Sequence, residues 1–156
     1  MIKLLQVITE EQLGHIKILF KEYEKSLGFG LHFQDFTEEF DNLPGEYALP
    51  TGCLLLALYR DHIAGCVALR KLDKKICEMK RMYVRPDYRG KGIGRAMAVE
   101  IIKFARAYGY KRMRLDTIDT MNAAISLYRA LGFVESEPYR YNPIKGASYM
   151  ELSLLK

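Results

Sequence analysis

Cysteine and histidine are scarce, with three of each in 156 residues. Cys53, Cys66 and Cys77 contain no C-x-x-C pair, and His15, His32 and His62 fall at no metal-ligand spacing. This argues against a disulfide framework or a metal site as the organising device. All three cysteines lie in apolar, strand-like runs, which predicts buried free thiols in a reducing compartment. No apolar run approaches a membrane span, and Met1–Ile8 is too short and too soon interrupted for a signal peptide. The expectation is a cytoplasmic protein with no membrane partner. Internal repeats, linkers and low-complexity stretches are also lacking, so residues 1–156 read as a single domain. The net charge of +5 would permit nucleic-acid binding. Aromatic–basic interleaving is absent, however, and the basic residues are scattered apart from Lys71–Lys75 and the group around residues 89–95. Local attraction of a polyanionic ligand explains that second group better.

That group surrounds the most informative segment, Arg85-Pro86-Asp87-Tyr88-Arg89-Gly90-Lys91-Gly92-Ile93-Gly94. It follows the strand-like run ending in Met82-Tyr83-Val84 and leads into a long amphipathic helix. Alternating glycines let the backbone turn with positive φ and approach a ligand closely. A helix N-terminus presents unpaired N–H groups and the positive end of the dipole, which attract an anion. Arg89, Lys91 and Arg95 add cationic side chains, so the segment reads as a pyrophosphate-binding loop. The spacing of Gly90, Gly92 and Gly94 fits neither the dinucleotide fingerprint G-x-G-x-x-G nor the P-loop frame.

Periodicity gives the surrounding elements. Residues 2–8 read as a strand, followed by a helix from the N-cap Thr9 to about Leu27, with Thr9-x-x-Gln12 as a capping box. A short helix spans 37–43. Runs at 53–59 and 62–70 form a hairpin about Arg60-Asp61, and a third strand covers 76–84. The next helix presents Ile93, Met97, Ile101, Phe104, Ala105 and Tyr108 on one face and stops at Gly109. A strand at 112–117, a helix from about Thr120 to Leu131 and strands at 133–135 and 147–155 complete the chain. The order β-α-α-β-β-β-α-β-α-β-β is an α/β arrangement around one mixed sheet.

The pattern R-x-x-G-x-G (Arg89, Gly92, Gly94), preceded by Met82-Tyr83-Val84-x-Pro86, resembles the acetyl-CoA loop of the GNAT superfamily of N-acetyltransferases. The segment Asn122-Ala123-Ala124-Ile125-Ser126-Leu127-Tyr128-Arg129-Ala130-Leu131-Gly132-Phe133 is similar to that family's second motif. These motifs cover about residues 77–133, and the element order also agrees. The resemblance implies one acyl-CoA N-acyltransferase domain, with a mixed, mostly antiparallel central sheet flanked by helices. It implies acetyl-CoA as co-substrate, no metal, and a small-molecule or peptide amine as acceptor. A homodimer is compatible with it.

The resemblance also distributes roles. The backbone at Met82, Tyr83 and Val84 would carry a bulge, splay from the next strand and contact the pantetheine arm, which can pair like an added strand. Arg89, Gly90, Lys91, Gly92, Ile93, Gly94 and Arg95 would hold the pyrophosphate. Asn122 would hydrogen-bond the cofactor or cap its own helix. Tyr128 would protonate the departing thiolate, since an ordinary phenol is protonated at neutral pH; packing alone would also explain it. Glu78 would be the base, on the same strand face as Lys80, Met82 and Val84 by parity, or else a charged residue paired with Lys80 or Arg81. Asp116, or water with backbone carbonyls, is the alternative base. Tyr23, Glu24, Asp35, Phe36, Glu46, Tyr47, Tyr139, Arg140 and Tyr141 are the residues available to the acceptor site. A catalytically silent acyl-CoA-binding module and a transferase of another acyl group stay open.

Overall fold

The computed structural model describes residues 1–27, 36–118, 122–139 and 146–155, without the side chains of Ile118 and Asn122. Among the described residues, seven strands and four α-helices follow the order expected from the sequence: β1 (Ile2–Gln6), α1 (Glu10–Ser26), α2 (Phe36–Asp41), β2 (Cys53–Tyr59), β3 (His62–Asp73), β4 (Ile76–Val84), α3 (Ile93–Tyr108), β5 (Arg112–Ile118), α4 (Asn122–Ala130), β6 (Val134–Glu135) and β7 (Ala147–Ser153). The strands form one sheet in the order β1-β2-β3-β4-β5-β7-β6. Every neighbouring pair is antiparallel except β4–β5.

Local chemistry accounts for several boundaries. At the start of α1, Thr9 Oγ1 accepts from the Gln12 N–H (3.1 Å) and Gln12 Oε1 accepts from the Thr9 N–H (3.0 Å). The Ile8 N–H also donates to Gln12 Oε1 (2.7 Å). This diverts residue 8 from the sheet; the Val7 N–H still donates to the Leu54 carbonyl (2.9 Å), and regular β1 pairing ends at Gln6, short of the expected residue 8. Arg60 (φ 50°) and Asp61 (φ 68°) form the β2–β3 turn, with the left-handed pair that matches hairpin twist. The β3–β4 hairpin runs further than hydrophobicity suggests: polar Lys71 and Asp73 still pair with Cys77 and Ile76. Helix α3 ends on Gly109 as expected, but Tyr108 is 44% exposed and leaves the core face, its ring lying 4.9 Å from that of Tyr110. Helix α4 is described over Asn122–Ala130, and the expected start near Thr120 lies outside the described residues.

Each sheet face carries its own core. Cys77, Met79, Met97, Ile101, Met113 and Phe133 pack under α3 and α4. On the other face Leu13, Ile16, Leu19 and Phe20 of α1 join Phe36, Leu54, Leu56, Cys66 and Tyr83. Each fully buried side chain of this size contributes about 1.5–3 kcal/mol. Cys53, Cys66 and Cys77 are buried free thiols. Burial pushes the thiols of Cys53 and Cys77 up to about 12, so neither is a thiolate at neutral pH.

Candidate active site

The site grows from a break in the sheet. Strands β4 and β5 pair only at Ile76↔Arg112, Cys77↔Met113 and Glu78↔Arg114. Beyond Glu78 the two strands part, leaving the last stretch of β4 as an edge on that side. The same stretch bulges: Ala68 pairs with Lys80 but Cys66 pairs with Tyr83, so β4 spends one extra residue. Arg81 takes the strain with φ +59°, a conformation that costs a non-glycine residue on the order of 1–3 kcal/mol. Its side chain is anchored in return. Arg81 Nε and Nη2 each donate to Glu39 at 2.9 Å, and the guanidinium lies 5.3 Å from the centre of the Phe36 ring.

The bulge corrects the parity expected for Glu78. Two-residue alternation would put Glu78, Lys80, Met82 and Val84 on one face. The extra residue instead sends Met82 and Val84 to the α3 side with Cys77 and Met79, while Tyr83 faces α1. Glu78 is fully buried. Arg70 Nε, directly across the β3–β4 ladder, donates to its Oε1 at 2.7 Å. Tyr139 Oη donates to Oε2 at 2.6 Å. Arg70 also reaches the exposed Glu46 through Nη1 (2.7 Å).

Beside the free edge of β4 lies a cleft of about 570 Å³. Met82, Tyr83 and Val84 form one wall, Arg89, Gly90, Gly92, Ile93 and Gly94 its end, and Tyr23 of α1 and Ala124 and Leu127 of α4 its flanks. At that end Pro86–Tyr88 make a single 3-10 turn, and Arg89 Nε donates to the Val84 carbonyl (2.9 Å). Gly90 (φ 79°) and Gly92 (φ 82°) are left-handed, and a Cβ on either would meet nothing within 4 Å. Glycine is therefore demanded there by the turn and not by crowding. Gly92 caps α3 without a side-chain hydrogen bond, and the helix has no acidic residue in its first turn. The N-terminal N–H groups thus keep their attraction for an anion. Lys91 and Arg95 are exposed beside them, with Lys91 Nζ 5.3 Å from the Tyr59 ring centre. Asn122 opens α4, and its side chain lies outside the described residues, as do Asp35, Arg140 and Tyr141.

Tyr128 is 5% exposed, with its ring 5.7 Å from that of Phe133. Burial, and then the electrostatic influence of Tyr23, raises its phenol well above the ordinary range. Burial likewise raises Tyr23, whose ring lies 6.1 Å from that of Tyr83. Asp116 and Arg81 also act electrostatically on Tyr23, in opposite directions.

One buttress was not evident from the sequence. Arg85, just past β4, donates to Glu22 of α1 through Nε (3.0 Å) and Nη2 (2.8 Å), and Tyr83 Oη donates to the same carboxylate (3.2 Å). This Arg85 hydrogen bond pulls Glu22 below the usual carboxylate range, and burial opposes it. The clamp ties α1 to the strand end that forms the cleft wall.

With this geometry the comparisons with known proteins agree. The Acetyltransferase (GNAT) family model matches residues 16–133, and the chain belongs to this family of acetyl-CoA-dependent N-acetyltransferases. It is 40% identical over 148 residues to an uncharacterised N-acetyltransferase of Schizosaccharomyces pombe, covering 94% of this chain and 91% of that one. An N-acetylaspartate synthetase of Xenopus tropicalis is 31% identical over 107 residues, 68% of this chain and 40% of that protein. A GNAT-family acetyltransferase from Staphylococcus aureus shares the fold, with a TM-score of 0.82 at 20% identity over 99% of this chain and 100% of that chain. Among the described residues, no helix is long and apolar enough to cross a membrane, and no cluster of His, Cys, Asp and Glu is arranged to hold a metal.

Proposed function

We propose that this protein transfers the acetyl group of acetyl-CoA to a primary amine by direct attack in a ternary complex. The observation that carries this reading is the continuous cleft from the free β4 edge at Met82–Val84 to the left-handed turn at Gly90 and Gly92. Acetyl-CoA supplies an activated thioester and a thiol leaving group. Its pyrophosphate would rest on the uncapped start of α3, with Arg89, Lys91 and Arg95 around it and Ile93 and Gly94 offering backbone N–H groups. Its extended arm would follow the β4 edge at Met82, Tyr83 and Val84, with Asn122 available near the start of α4.

Tyr128 is the proposed acid for the departing sulfur. Its raised phenol holds the proton at neutral pH, so the donor is loaded at the start of each turnover. Because a thiolate is a weaker base than such a phenolate, the proton must pass within a tight hydrogen bond. Glu78 is the proposed base. Burial raises all three cysteine thiols and outweighs the pull of Arg81 and Arg85 on Cys66, so they stay protonated at neutral pH, which favours direct transfer over an acetyl-cysteine route.

For the acceptor, a relative named N-acetylaspartate synthetase puts free amino acids first among the amines to test. The experiment is to measure CoA release from acetyl-CoA by the purified protein, using the free amino acids, spermidine and a tripeptide. Amine-dependent release with an N-acetylated product by mass spectrometry is the expected result. Acetyl-CoA binding with no release across the panel would favour a silent acyl-CoA-binding module.

A further inference from the structure

Among the described residues, three other than glycine have positive φ. Arg60 and Asp61 do so in a hairpin turn, where such angles are ordinary. Arg81, at φ 59°, does so inside β4, one position before the stretch Met82–Val84 that lines the cleft. A left-handed backbone disfavours a side chain relative to glycine by roughly 5–30-fold in population. Something beyond residue 81 itself therefore holds it there. On the cleft side no neighbouring strand does so, because β5 pairs with β4 only as far as Glu78. The β3 ladder steps from Ala68↔Lys80 to Cys66↔Tyr83 and passes over Arg81 and Met82.

Side chains supply the hold. Arg81 Nε donates to Glu39 Oε2 and Nη2 to Oε1, both at 2.9 Å, a two-point fork that resists rotation of either partner. The two side chains are only 2% and 16% exposed, so water competes little for the pair. The guanidinium also lies 5.3 Å from the centre of the Phe36 ring. The buried Cys66 thiol donates to the Arg81 carbonyl (3.5 Å), so the main chain of the same residue is gripped from β3. Glu39 is itself well seated. It belongs to α2, which rests on α1 through Phe36 against Phe20, with centroids 6.5 Å apart, and Phe40 beneath Lys21 Nζ at 4.6 Å.

Resting on the acetyltransferase reading above, we propose that Arg81 and Glu39 are positioning residues, their ion pair holding residue 81 left-handed and so fixing where Met82–Val84 present the arm of acetyl-CoA to the amine. The extra residue at the bulge sends Met82 and Val84 toward α3 and Tyr83 toward α1. Shifting the bulge by one position would turn that alternation over and carry the cleft wall with it. Glycine at position 81 would take the same angle without strain, and the bulge would then form whether or not α2 were in place. Arginine instead makes the wall depend on α2, because the strained angle is held only while Glu39 is there to receive the guanidinium.

The test uses the full chain, acetyl-CoA and the panel of free amino acids, spermidine and a tripeptide. It compares wild type with two double variants, Arg81→Ala with Glu39→Gln and Arg81→Gly with Glu39→Gln. Both lose every contact of the guanidinium, and glutamine leaves no buried carboxylate unpaired. They differ by one methyl group, which only the left-handed angle penalises. The alanine variant should lose on the order of 10²-fold in kcat, as for a misplacement near 1 Å, and the glycine variant should keep at least about 5-fold more. The KM for acetyl-CoA should move less than kcat in both, because the turn at Gly90 and Gly92 is untouched. A pair that served stability alone would lower Tm and leave kcat equal in the two folded variants. Equal kcat, at the wild-type level or below it, would therefore overturn the proposal and leave the acetyltransferase reading standing. No turnover by wild type with any amine would overturn both. If either double variant does not fold, Glu39→Asp keeps the charge and shortens the anchor by one methylene. Its kcat should fall about 10-fold, and a wild-type kcat there would refute the anchor.

Discussion

Gly65→Ala tests whether the position of the β4 edge governs the chemistry. Gly65 lies opposite Val84 in the ladder, beneath the proposed arm-binding stretch. A Cβ built there would lie within van der Waals overlap of the Tyr83 carbonyl oxygen, 3.2 Å from Met97 Cε and 3.3 Å from the Val84 Cα. Methionine can swing away, but two of the three neighbours are backbone of the cleft wall. Ordinary carbon–oxygen approach is about 3.3 Å or more, so Tyr83–Val84 must retreat by roughly 0.5–1 Å. Overpacking of this kind costs about 1–3 kcal/mol, which for a domain of this size lowers Tm by roughly 2–12 °C. The reduced backbone entropy of alanine offsets up to about 1 kcal/mol, favouring the lower half of that range. A misplacement near 1 Å in a reacting geometry can cost about 10²-fold in rate. Calorimetry and steady-state CoA release should therefore show a modestly destabilised protein with a much larger loss of kcat. Wild-type kcat and acetyl-CoA KM in a folded but destabilised variant would refute the idea that this wall positions the reactants.

Further outcomes follow from the same geometry. Gly92→Asp meets open space but must adopt φ near 82°, so it should fold with a loss of about 1–2 kcal/mol and show no acetyl-CoA-dependent rise in Tm, because a carboxylate now sits where phosphate belongs. Unchanged acetyl-CoA affinity in that variant would remove the loop from the binding site. Glu22 has a lowered carboxyl, so its contribution to stability is present above the ordinary carboxylate range and is lost as pH falls through the folded-state value. Glu22→Gln should therefore be less stable than wild type at pH 7 and close that gap in acid melts near pH 3; a gap that persists there would deny the linkage.

Much of this was legible in the sequence where the information is local. The Thr9–Gln12 box, the Arg60-Asp61 turn and the glycine signals at 90–94 and 109 act within a few residues, and each occurs where pattern alone put it. Strand parity failed at Arg81 because a bulge is set by pairing with β3: the family resemblance implied a bulge at Met82–Val84, but alternation counted along the strand does not register the extra residue. The Glu78 partner was within reach in part: counting back across the Asp73–Lys75 turn brings Arg70 opposite Glu78. Tyr139 on Glu78 and Arg85 on Glu22 join residues about sixty positions apart, and no spacing rule connects them.

The most direct test of the central claim is the pair of values kcat and acetyl-CoA Kd for Tyr128→Phe, measured with an acceptor on which wild-type turnover is limited by chemistry. The ring and its contact with Phe133 are kept, so stability should change by no more than about 1–2 kcal/mol, as for a lost hydrogen bond. The reading predicts an unchanged Kd and a fall in kcat of roughly 10²-fold or more, because the thiolate must leave without its proton. A folded variant with both values at wild-type level would make Tyr128 a packing residue and contradict its assignment as the acid of an acetyl transfer.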